Sequence, residues 1–223
     1  SLVGLEATGH YWKNLVAALV ARGYAVVLLN PLRTRRFAEE EMLRAKTDAV
    51  DAKSIARLLS EKKLAPSRLP DELTTALREL VHLRDRLVQD LGDRTRQVHR
   101  ALDLSLPEFT SMGKDVSTAK ATTLLRRYPT AAAFAAADVG ELAALPYDGR
   151  HRIGDKLAEN LVERAKCSVG AHHSDPFRWQ VEFFCEDIDL FRERIARLDE
   201  RIERSLDEHE VARLLTTIDG IGP

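Results

Sequence analysis

The chain of 223 residues carries a formal net charge of −1, with 31% charged and only 6% aromatic side chains. This balance favours a helix-rich protein, and it neither requires nor excludes a nucleic-acid partner, because such binding depends on local clusters of basic residues. No apolar run reaches the roughly 20 residues that a membrane-spanning helix needs and no signal peptide is visible, so the sequence predicts a cytoplasmic protein without a membrane partner.

The first 30 residues predict one strand–helix–strand unit. Residues 2–5 predict a short strand that ends at Glu6, and the continuously apolar residues 24–29 predict a second strand, buried on both faces as in a parallel sheet. Between them, Thr8 is the predicted N-cap of a helix, and Gly23 is its predicted C-terminal stop.

The charged, helical segment 32–64 contains two aspartates one helical turn apart, Asp48 and Asp51. On a helix their Cβ atoms lie about 5–6 Å apart on one face, where the two charges repel unless a cation lies between them. Glu6 ends its strand where an α/β sheet usually presents its ligands. Carboxylate oxygens bind Mg²⁺, and two such ions can cut a phosphodiester. The three acids are therefore candidate metal ligands, although this spacing is more often found on a solvated helix face.

A second, helical region follows Pro66 and Pro70. Leucines recur at gaps of three and four over residues 73–102, which predicts a long amphipathic helix. Apolar residues at strict gaps of four and three over 184–202 predict a coiled-coil seam, with an ordinary core-facing helix as the alternative. The partner of this seam is expected to be either the leucine helix or a second subunit.

Several basic side chains and one glycine pair are candidate nucleic-acid contacts. Backbone N–H groups of a tight Gly-x-Gly turn could bind a phosphate, as in a helix-hairpin-helix, and clustered arginines and lysines could track the backbone. The candidates are Arg33, Arg35, Arg36, Arg44, Lys46, Arg150, Arg152, Gly220 and Gly222.

Residues 5–52 closely resemble a bacterial transposase family. The matching positions are Glu6 to Tyr11, Gly23, residues 26–31, Phe37, and residues 46–52. In their order they are similar to the DEDD-type transposases of insertion sequence family one-ten, which also includes Piv-type DNA invertases. Residues 214–223 resemble the opening of that family's second conserved domain.

The resemblance implies a RuvC-like, RNase H-type nuclease in which four acids bind Mg²⁺ or Mn²⁺. Glu6, Asp48 and Asp51 match the last three, as catalytic and metal-binding residues. The family's first aspartate belongs on an earlier strand, and its strand-exchange serine in a C-terminal domain, and neither is in this sequence. The chain is therefore expected to be a fragment that does not cleave DNA alone. The family is also associated with a structured guide RNA.

Together these observations predict a mixed α/β, mostly helical protein. The expected divisions are a partial RuvC-like nuclease domain at 1–65, a long-helix and coiled-coil region at 66–210, and the start of a C-terminal transposase domain at 211–223. The predicted function is metal-dependent DNA cleavage and recombination by a homo-oligomeric transposase. A site-specific invertase, a Holliday-junction resolvase and a non-catalytic helical scaffold are the alternatives.

Overall fold

The computed structural model describes residues 2–40, 47–112 and 115–208. Most of these residues are helical, and the strands form one two-stranded sheet, so the expectation of a mostly helical α/β chain is confirmed. The chain divides into two compact units, residues 1–70 and 71–223. The predicted domain boundary after residue 65 stays a prediction.

The first unit begins with the predicted strand–helix–strand. Its two strands are parallel, with Leu2 opposite Ala25 and Glu6 opposite Leu29. Asn30 caps the helix that follows, because its side-chain oxygen accepts a hydrogen bond of 2.8 Å from the backbone N–H of Leu32. The elements are β1 (Leu2–Glu6), α1 (Trp12–Ala21), β2 (Ala25–Leu29), α2 (Pro31–Glu40) and α3 (Asp48–Lys62).

The predicted N-cap of α1 was wrong. The helix begins at Trp12 after Tyr11, because Gly9 takes a left-handed φ of 58° and the chain makes a turn before the helix. The Thr8 hydroxyl instead donates to Oε1 of Glu6 at 2.6 Å. Thr8 lies four residues before the first residue of the helix, too far to act as its N-cap.

The small core of the first unit lies between the sheet and helices α2 and α3. Its buried cluster consists of Val27, Leu29, Phe37 and Leu58. Helix α3 packs so closely on β1 that a Cβ atom at Gly4 would lie 2.6 Å from Cγ2 of Ile55.

The second unit is built on two long antiparallel helices, α4 (Glu72–Ser105) and α10 (Asp175–Asp207). Arg84 of α4 pairs with Asp199 of α10, and Nε of Arg94 lies 2.7 Å from Oδ2 of Asp187, so the two helices run in opposite directions. Every residue of the predicted seam is buried or half-buried. Helix α10 thus packs along α4, the leucine helix that was expected as its intramolecular partner. A coiled coil between subunits stays a prediction.

Short helices pack at the end of this pair where α4 finishes and α10 begins. Loop 145–154 joins the last two of them, and Pro146 and Arg152 form an antiparallel bridge across it. No helix in the described part of the chain is long and apolar enough to cross a membrane. The short helices are α5 (Pro107–Ser111), α6 (Ala119–Arg127), α7 (Ala131–Ala135), α8 (Val139–Ala144) and α9 (Asp155–Lys166).

Candidate functional site

Glu6 lies at the carboxyl end of β1 and accepts a hydroxyl at each carboxylate oxygen. Thr8 donates to Oε1 and Thr34 donates to Oε2, each at 2.6 Å. Thr34 is on α2 and only 8% of it is exposed, whereas Thr8 is exposed. The Glu6 carboxylate is therefore held both from the loop that follows β1 and from helix α2.

Asp48 and Asp51 form the first turn of α3, as the sequence predicts. The helix is capped by Thr47, whose hydroxyl oxygen accepts a bond of 3.3 Å from the N–H of Val50. Both aspartates are exposed, and neither makes an ion pair with any residue that the structure describes. Acids at this position also stabilise a helix through its dipole, by about 0.3–1 kcal/mol each. Their placement therefore has a structural cause of its own.

The three acids lie on two elements that touch. Asp51 stands one turn before Ile55, and Ile55 contacts β1 at Gly4. Within the described ranges, however, no three His, Cys, Asp or Glu side chains form a cluster that could hold a metal ion. The donors fit Mg²⁺ or Mn²⁺ in their chemistry, because all are hard carboxylate oxygens.

A groove between α2 and α3 gathers basic side chains of the first unit. Arg33 and Arg36 line it together with Lys62, and none of the three is ion-paired to a described residue. Arg35 instead forms an exposed pair with Glu39, with 2.9 Å between Nε and Oε1. Sequence reasoning missed Lys62, because nothing in the pattern indicates that the last turn of α3 lies beside α2.

Two further predicted basic contacts, Arg44 and Lys46, and the predicted glycine turn at Gly220 and Gly222 lie outside the described residues.

The loop between α8 and α9 is a tight hairpin. Its two glycines, Gly149 and Gly154, have φ values of 78° and 84°, which a side chain would strain. The N–H of Ile153 donates to the carbonyl of Leu145 at 3.1 Å and closes the hairpin at its base.

The carboxylate of Asp148 organises the tip of this hairpin. It accepts from the backbone N–H groups of His151 and Arg150, at 2.7 and 3.0 Å, and from the His151 ring. These bonds, with the His151 N–H first, lower the pKa of Asp148 to about 2. The Arg150 side chain extends into solvent, whereas Arg152 donates to the carbonyl of Ala144 at 3.0 Å. Arg150 is thus the hairpin arginine available to a ligand.

Two family models match successive parts of the chain. Residues 1–107 match the DEDD model of the IS110 group, described as Transposase. Residues 112–166 match a SAM-like helix-hairpin-helix tandem. This second match includes the hairpin between α8 and α9.

Curated relatives extend the similarity. The chain is 28% identical over 226 residues to the insertion element IS116 uncharacterized 44.8 kDa protein of Streptomyces clavuligerus, covering 98% of the chain and 55% of that relative. It is 32% identical over 111 residues to the pilin gene-inverting proteins of Moraxella lacunata and Moraxella bovis, covering 48% of the chain and 33% of each. The chain therefore spans about half or less of these relatives' length.

Sequence reasoning missed the helix-hairpin-helix tandem at 112–166. The available signal was a turn with Pro146, Gly149 and Gly154 between two short apolar periodic segments. From the sequence, such a hairpin is expected only at Gly220 and Gly222, and Arg150 and Arg152 are expected only as basic candidate contacts. The basic residues were noticed there, but the hairpin that presents them was not.

Proposed function

We propose that the protein is a transposase of the IS110 family, whose model matches residues 1–107, and that it cleaves and rejoins DNA in the movement of an insertion sequence. We further propose that its first unit is part of a RuvC-like nuclease domain. The parallel pairing of β1 with β2 supports this fold, since such sheets present ligands at the carboxyl ends of their strands.

The observation that carries the proposal is the fixed carboxylate of Glu6 at that end of β1, on an element that contacts the helix bearing Asp48 and Asp51. These acids would hold Mg²⁺ or Mn²⁺ as three of the four family ligands. Bound divalent ions supply activation of the attacking oxygen and stabilisation of the leaving oxygen. The chain's own contribution is to orient Glu6 and to present two aspartates without competing cation partners among the described residues.

DNA would be held by two surfaces of different kinds. The hairpin between α8 and α9 presents Arg150 from a helix-hairpin-helix tandem, a module that binds DNA phosphates without base-specific contacts. The groove of the first unit presents Arg33, Arg36 and Lys62, whose charges would neutralise backbone phosphates. Both surfaces position DNA, and neither supplies base recognition.

The remaining partners follow from the family resemblance and from the needs of recombination. Two DNA partners must be held together, so we propose a homo-oligomer that contacts through its long helices. A structured guide RNA would select the DNA, and the reaction would take place in the cytoplasm, where bacterial DNA is.

Site-specific inversion is the second candidate function. It is favoured by the similarity to proteins named as pilin gene-inverting, which extends over 48% of the chain. The DNA that flanks the gene separates the two functions. Element boundaries at the gene's ends indicate transposition, and an adjacent invertible segment indicates inversion.

The test of the proposed function is metal binding by the full-length protein. Titration with Mn²⁺ in a calorimeter is expected to show binding that Asp48→Asn and Asp51→Asn each weaken, because each removes one charged oxygen ligand. Asp90→Asn is the matched control, since Asp90 is also an exposed acid on a helix. It is expected to leave the affinity unchanged. Absence of binding, or equal loss in all three variants, would favour the non-catalytic helical scaffold.

A further inference from the structure

We propose that Thr34 is a positioning residue that holds the Glu6 carboxylate in the orientation needed for metal binding, with Thr8 as a weaker second support. The inference rests on the proposed metal-binding role of Glu6. It assigns a function to two threonines that the four-acid pattern does not include.

Thr34 reaches Glu6 from a different element and through a protected position. It lies on α2, 28 residues further along the chain, and it is 8% exposed. Its hydroxyl oxygen is 2.6 Å from Oε2 of Glu6 and 2.9 Å from the carbonyl oxygen of Pro31. A hydroxyl has one hydrogen to donate, so these two acceptors compete for it.

The carboxylate wins this competition for physical reasons. It is the nearer acceptor, and a hydrogen bond to an ionised group is roughly twice as strong as one between neutral groups. If Thr34 served only to fasten the first turn of α2, the Pro31 carbonyl would be its sole partner. The short bond to Glu6 instead ties the start of α2 to the end of β1.

Thr8 acts on the other carboxylate oxygen, but from a weaker position. It is two residues from Glu6, exposed to solvent, and followed by Gly9 in a left-handed conformation. Water can replace an exposed hydroxyl at modest cost, whereas a nearly buried one has no ready substitute. Thr34 is therefore expected to contribute more than Thr8.

The two hydroxyl hydrogen bonds are compatible with metal binding. Each carboxylate oxygen has two lone-pair sites, so accepting one hydroxyl does not by itself prevent an oxygen from binding a cation. Holding both oxygens fixes the plane of the carboxylate before the metal arrives. Removing such a support typically costs about 10–100-fold in metal affinity.

The experiment compares Mn²⁺ affinities of full-length variants by calorimetry, with melting temperatures measured in parallel. Thr34→Val keeps the shape and removes the hydroxyl, and it is expected to raise the Mn²⁺ dissociation constant about 10–100-fold. Thr34→Ser restores the hydroxyl and is expected to bind like the wild type. Thr8→Val is expected to show a smaller increase.

Thr75→Val is the control, because Thr75 lies in the first turn of α4 and its hydroxyl also donates to a backbone carbonyl at the start of its helix, that of the N-cap Asp71. It is expected to leave Mn²⁺ affinity unchanged.

Wild-type Mn²⁺ affinity in Thr34→Val, or a Thr34→Ser variant that binds Mn²⁺ as weakly as Thr34→Val, would overturn the inference. A Glu6→Gln variant that binds Mn²⁺ as tightly as the wild type does would overturn the proposed metal-binding role of Glu6, which is a separate result. If Thr34→Val does not fold, the contrast of Thr34→Ser with Thr34→Ala decides in its place.

Discussion

The two units of the chain differ in how much apolar side chain they bury. In the first unit the described cluster of buried apolar side chains has four members: Val27, Leu29, Phe37 and Leu58. The second unit buries a continuous cluster that runs from α4 through the short helices to α10, and many of its members, such as Leu102, Phe134 and Ile188, are fully inaccessible. The candidate metal ligands belong to the unit with the smaller core.

This difference in buried apolar surface predicts a difference in local stability. A two-stranded sheet covered by a few helices gains little hydrophobic stabilisation, and local opening is easiest where few apolar contacts must be broken. The first unit buries few apolar side chains and has the Thr34–Glu6 hydrogen bond at the end of its sheet, whereas the second unit has a large buried apolar cluster. Substitutions should therefore act differently in the two units.

The largest expected effect comes from the core of the second unit. Phe134 is fully buried, with its ring centroid 5.2 Å from that of Tyr128 and 6.3 Å from that of Phe109. Phe134→Ala is expected to lower the free energy of unfolding by about 3–5 kcal/mol, because it leaves a cavity among these rings. Phe183→Ala, at a side chain that is 56% exposed, is the control and should change it by less than about 0.5 kcal/mol.

Urea denaturation followed by hydrogen exchange would resolve which unit is affected. If Phe134→Ala reduces hydrogen-exchange protection only in peptides from the second unit, the two units differ in stability as expected. Equal loss of protection in both units would show that they unfold together and would contradict that difference.

A smaller effect is expected at the sheet of the first unit. Gly4→Ala places a methyl group 2.6 Å from Ile55 and 2.7 Å from Leu59, so α3 must shift away from β1. The expected cost is about 1–3 kcal/mol, measured as lost protection of β1 and α3 amides. Gly92→Ala is the control, because the nearest atom there is the end of a flexible arginine at 3.5 Å. Gly92→Ala should stabilise α4 by about 0.5–1 kcal/mol.

Regular periodicity made the long elements predictable. The apolar run before Asn30 indicated β2, and the leucine spacing indicated α4, because strands and helices repeat their inward positions at fixed intervals. The start of α1 was mispredicted because the chain makes a turn at Gly9, with a left-handed φ of 58°, and the helix begins only at Trp12.

Contacts between distant segments were beyond sequence reasoning. Nothing in the pattern around Thr34 shows that it meets Glu6 across 28 residues, and nothing shows that Lys62 joins Arg33 and Arg36 in one groove. Both depend on how α2 and α3 lie on the sheet, which spacing along one helix cannot specify. The acids were found because chemistry restricts metal ligands to a few side-chain types, whereas their supports can be almost any hydroxyl.

The smallest expected effect concerns the hairpin of the second unit, where order comes from charge and not from burial. Asp148 is exposed, yet three donors from Arg150 and His151 bring its pKa to about 2, from an ordinary 3.8. Because the pKa is lower in the folded state, the carboxylate's contribution to stability is complete above pH 3.8 and is lost as the pH falls through about 2. The backbone amide signal of His151 in NMR should therefore titrate with a midpoint near pH 2, and Asp148→Asn should abolish that titration.

A midpoint at the ordinary pKa of 3.8 would mean that the hairpin tip is open in solution. Arg150, the arginine proposed to contact DNA, would then be presented by a loop whose tip the Asp148 carboxylate does not hold, and the hairpin would lack the order that the packing of the second unit provides elsewhere.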